Sequence, residues 1–117
     1  MITGVHAVLF TRDADELRRV LADALGFPSV DAGGGWSIFA LPPAELAAHP
    51  SEEGGRHELY LMCDDLDRTV AELRERGLRT TRPPTDEGWG VLTELELPGD
   101  VRVGLYQPRH ATPRPLA

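Results

Sequence analysis

The chain contains no lysine: its 12 basic side chains are all arginines, set against 19 acidic ones for a formal net charge of −7. Schiff-base and lysine-base chemistry are therefore excluded. The arginines are dispersed rather than gathered into a basic patch, which disfavours nucleic-acid binding. Cysteine occurs once, as Cys63, so no internal disulfide can form and a reducing compartment is expected. Its place late in an apolar stretch reads as a buried, inert thiol rather than a nucleophile. Also missing is any apolar run approaching the roughly 18 residues that span a bilayer. The N-terminal stretch has no basic region followed by an apolar one. A cytoplasmic protein with no membrane partner is the expectation.

What is present is a repeat. His6-Ala7-Val8-Leu9-Phe10-Thr11-Arg12-Asp13 opens one half and His57-Glu58-Leu59-Tyr60-Leu61-Met62-Cys63-Asp64 the other. His6 to His57, Asp13 to Asp64 and Gly26 to Gly77 are each 51 residues apart. Gly35-Trp36-Ser37-Ile38 is echoed, slightly out of step, by Gly88-Trp89-Gly90-Val91. A period near 50 marks a supersecondary unit too small to bury its own apolar face. Two such units must pack on each other within one globular domain, and a ligand cleft is expected at their junction.

Residues 4–11 read as a strand. Asp13 caps a helix, with Glu16 at capping-box spacing and Leu17, Val20, Leu21, Ala24 and Leu25 forming one apolar stripe. Gly26 ends it. A short strand at 28–31, a turn to Gly35, a strand over 36–41, Pro42-Pro43 and a further short strand over 45–49 follow. The polar segment 50–56 links the halves. The second half repeats the order: a strand over 57–63, a cap at Asp64 or Asp65, and a helix carrying Leu66, Val70 and Leu73 that ends at Gly77. Strands at 79–82, 89–96 and 101–106 complete it, the last two joined by Pro98-Gly99-Asp100. The expected fold is α+β: two tandem βαβββ modules, 2–50 and 57–108, with curved mixed sheets around a cleft and helices on the outer face. Residues 109–117 read as a flexible tail.

This pattern resembles the vicinal oxygen chelate superfamily, which includes glyoxalase I, bleomycin-resistance proteins and extradiol dioxygenases. The segment from His57-Glu58-Leu59-Tyr60 through Glu75-Arg76-Gly77 is similar to its bacterial glyoxalase-like members. The resemblance implies a divalent metal in the cleft (Fe, Mn, Ni or Zn), with ligands from the first and last strands of each module. His6 stands at the first-strand position, and Glu45 matches the last-strand carboxylate of module one. In module two the family's cap position assigns Glu58, whereas the internal repeat assigns His57. Adjacent strand residues face opposite ways, so only one of them can serve. The family's fourth ligand falls on Gly104, which has no side chain to offer.

Each of these residues also has a plainer reading. His6 reads equally as packed or surface, Glu45 as a solvated edge residue, and His57 as exposed after the linker. Trp36 and Trp89 form either cleft walls or core, and Tyr60 and Tyr106 are the other aromatics suited to line the cleft. His49 and His110 read as solvated. Two functions follow. One is a metal-dependent enzyme (a lyase, isomerase or dioxygenase) in which the ion acts as Lewis acid on vicinal substrate oxygens. There Glu58, if not a ligand, would be the general base. The other is a metal-free protein of the bleomycin-resistance type that sequesters a drug. The reading leans slightly to the first, with enzyme status open. The resemblance also implies a homodimer.

Overall fold

The structure is a computed structural model, and it describes residues 6–34, 37–48, 50, 52, 54, 55, 57–111 and 113. Trp36 and His49 therefore lie outside the described residues, as do positions 51, 53 and 56 of the linker. The element order is α1 (Ala14–Asp23), β1 (Ser29–Asp31), β2 (Ser37–Phe39), β3 (Tyr60–Met62), α2 (Leu66–Glu75), β4 (Arg79–Thr80), β5 (Thr85–Asp86), β6 (Gly90–Leu97) and β7 (Val101–Pro108). The fold is α+β with two short helices and mixed sheets, as expected.

The second half holds a five-stranded sheet in the order β3-β7-β6-β4, with β5 also paired to β6. β3 runs parallel to β7, and the other pairings are antiparallel. Alternation along β7 divides its side chains. Val101, Val103 and Leu105 join Leu95 and Leu97 under the helices, while Gly104 and Tyr106 turn to the opposite face. α2 contributes Leu66, Val70 and Leu73 to this core, one helical stripe at i, i+4 and i+7. It begins at Asp65, whose carboxylate accepts from the Arg68 N–H at 3.1 Å. It ends in a Schellman motif, with Leu78 N–H on the Leu73 carbonyl and Gly77 N–H on that of Arg74. Gly77, at φ +88°, takes the left-handed position that a side chain would strain.

The first half is sparser. α1 buries Leu17, and its C-cap Ala24 is buried too, but the capping box does not form: Asp13 makes no side-chain cap, and Glu16 is engaged by Arg19. Among the described residues, the strands expected at 6–11 and 45–48 join no ladder, and the first-half sheet is only the β1–β2 pair. A strand exists only with a partner to receive its N–H and C=O groups. In the second half β3 finds β7, whereas 45–48, the first-half counterpart of β7, pairs with no strand among the described residues. Hydrogen bonds tie the halves together. The Thr11 hydroxyl lies 3.0 Å from the Pro98 carbonyl in the β6–β7 turn, and the Arg76 guanidinium donates to the Ala24 carbonyl at 2.8 Å.

Candidate functional site

The helix-free face of the larger sheet carries the chemistry. The register sets Tyr60 of β3 beside Gly104 of β7, and Met62 and Leu92 beside Tyr106. Three aromatic rings gather there. Tyr60 and Trp89 each meet Tyr106 edge to face, with centroids 5.8 Å and 5.3 Å away. Tyr106 is buried, whereas Trp89 is 43% exposed and Tyr60 also stands open to solvent. The group thus has a rigid centre and accessible flanks.

A first-half residue reaches this group from the irregular segment 40–48. The Glu45 carboxylate lies 3.4 Å from the Tyr106 hydroxyl and 3.5 Å from His110 Nε2. His110 Nε2 is in turn 3.1 Å from the same hydroxyl. Burial, and next the charge of Glu45, push the Tyr106 phenol above its ordinary pKa, so it keeps its proton and serves as a donor. Glu45 retains only 18% side-chain exposure, and its Oε2 is buried without a hydrogen-bond partner.

His110 was legible only as a solvated tail residue, yet it is half-buried against Tyr106. Arg109 before it is held by Asp86 at 2.6 Å and donates its backbone N–H to the Trp89 carbonyl. A signal was available: at the strand period of 2, Tyr106, Pro108 and His110 share one face.

Of the other expected site residues, Glu58 reaches this cluster through Tyr60. His6, His57 and Glu58 are exposed, and Glu58 accepts from the Tyr60 hydroxyl at 3.0 Å. Among the described residues no three His, Cys, Asp or Glu side chains gather into a group that could hold a metal. The four-ligand centre implied by the resemblance is incomplete because Gly104 has no ligating side chain, and the room beside it is taken. A Cβ built on Gly104 would collide with the Tyr60 ring, so the aromatic fills the space the family's last carboxylate would need.

The sequence matches the model of the Glyoxalase/Bleomycin resistance protein/Dioxygenase superfamily over residues 4–100. The chain belongs to that superfamily. No curated protein matches it. Solved structures share the fold. A superfamily member from Sphaerobacter thermophilus DSM 20745 is 23% identical, with 91% of this chain and 98% of that one covered at a TM-score of 0.66. TnmS3, an antibiotic binding protein from Streptomyces sp. CB03234, is 25% identical over 92% of this chain and 99% of its own, with a TM-score of 0.63. A lactoylglutathione lyase from Agrobacterium tumefaciens is 13% identical over 90% and 92%, with a TM-score of 0.62. Glyoxalase-fold membership thus accounts for the repeat, and what the site does must be argued from the site.

Proposed function

We propose that this superfamily member is a cytoplasmic ligand-binding protein that holds a flat small molecule against Trp89, beside the buried Tyr106, without a metal. The observation that carries the reading is the Tyr60 ring over Gly104. It replaces a metal-ligating position with an aromatic surface and leaves three rings around one polar pair. Edge-to-face packing fixes Tyr106 and leaves Trp89 exposed, as a stacking surface requires. Similarity to an antibiotic binding protein supports an antibiotic as the ligand, and the three rings favour an aromatic one.

A second copy of the chain belongs to the same proposal. Phe10 is 89% exposed and Leu46 fully exposed, and Val8, Val30, Ile38 and Leu41 are open as well. Segment 6–11 has strand composition but no ladder within one chain. An apolar surface beside a stretch of unpaired strand-forming backbone is suited to a like partner.

The test is a thermal-shift and calorimetric screen of aromatic antibiotics on wild type and Trp89→Ala, run beside metal analysis of the purified protein. Saturable binding that Trp89→Ala weakens, without bound metal, is the expected result. About one transition metal per chain, lost in both His6→Ala and Glu45→Ala, would replace this reading with the metal-dependent one.

A further inference from the structure

The polar cluster beneath the rings is short of protons. His110 Nδ1 lies 2.9 Å from the Ala111 carbonyl, which can only accept, so Nδ1 carries the hydrogen. In a neutral imidazole Nε2 is then an acceptor, and it competes with Glu45 for the single Tyr106 hydroxyl proton. The imidazole lies closer, at 3.1 Å against 3.4 Å for the carboxylate. If Tyr106 donates to His110, neither Glu45 oxygen has a donor, and Oε2 has none in either arrangement. Among the described residues no arginine is paired with this carboxylate, and the chain has no lysine to do so. Leaving a partly buried carboxylate without donors costs more than leaving a neutral group so. Among the described residues, with His110 neutral, Oε2 is left for a donor that a ligand can bring.

We infer that Glu45 is a recognition residue, accepting a hydrogen bond from a positively charged nitrogen on a planar ligand stacked against Trp89. The inference rests on the binding reading above and names its ligand class: aromatic cations. Rotation of the carboxylate about its terminal torsion, which is broad and soft, turns an oxygen toward the rings at little cost. The irregular 40–48 segment leaves Glu45 outside any ladder that would resist the adjustment. The ring faces favour the same charge, since a cation over Trp or Tyr is attracted by the ring quadrupole. At longer range the net charge of −7 raises the local concentration of cations.

The experiment compares two tricyclic probes of nearly the same shape: 9-aminoacridine, a cation at neutral pH, and uncharged acridone. Each is titrated by fluorescence into wild type, Glu45→Gln and Trp89→Ala. Wild type is expected to prefer the cation by about tenfold, the scale of one charge-assisted hydrogen bond. Glu45→Gln should abolish that preference while leaving acridone affinity unchanged, and Trp89→Ala should weaken both probes. Equal binding of the two probes by wild type, or an undiminished preference in Glu45→Gln, overturns the assignment of Glu45 while the aromatic cleft stands. Failure of both probes to bind wild type overturns the cleft reading as well. The wild-type comparison needs no variant, so a Glu45→Gln protein that fails to fold leaves the test intact.

Discussion

Gly104 and Tyr60 show how one missing side chain redirects a site. The parallel pairing of β3 with β7 sets them side by side, and the ring occupies the volume a Cβ would need. Gly104→Ala should therefore destabilise the protein by about 1–3 kcal/mol in urea unfolding, the usual cost of overpacking. Adding Tyr60→Ala should recover part of that loss, giving a coupling energy that independent sites would not show. Cys63 makes a second prediction at this scale. Burial raises its thiol pKa above the ordinary value, more than the Thr69 hydrogen bond lowers it. The thiolate fraction at neutral pH is thus reduced, and iodoacetamide should label the native protein more slowly than the urea-unfolded chain. Equal rates, read by mass spectrometry, would contradict this.

Among the elements, α2 is the better specified helix. Its cap, apolar stripe and Schellman end are all present in the sequence and all realised. Asp65→Ala should cost about 1 kcal/mol of stability, measured by chemical denaturation, because the Arg68 N–H loses its acceptor. The β6–β7 turn joins two scales. Gly99 and Asp100 both take left-handed backbone, at φ +78° and +64°. A Cβ on Gly99 would also collide with the Thr11 side chain. Gly99→Ala should accordingly destabilise by more than the roughly 1 kcal/mol typical of an unfavourable backbone substitution, since it also displaces the tie from segment 6–13.

For the molecule as a whole, the two halves are unequal although their sequences repeat. Among the described residues the second builds five strands and most of the buried core, whereas the first builds two short strands and leaves apolar side chains open. The proposed dimer follows from that imbalance. Sedimentation should give twice the chain mass, and Phe10→Arg should shift it toward the monomer while the far-ultraviolet dichroism stays unchanged. A wild-type monomer at micromolar concentration would remove the proposal.

Local pattern was enough for the helices, the glycine stops, the 51-residue repeat and the superfamily. Those features depend on neighbours within a few residues, or on the comparison of one half with the other. The sequence by itself also determined that Gly104 has nothing to coordinate with. Only the tertiary structure decided what fills that space, because a strand pairing across more than forty residues brings Tyr60 there. It likewise joined Glu45 to a hydroxyl 61 residues away and drew His110 out of an apparent tail. The physical reason is that such a cluster is set by sheet register and packing between halves, and neither leaves a periodic mark in the chain.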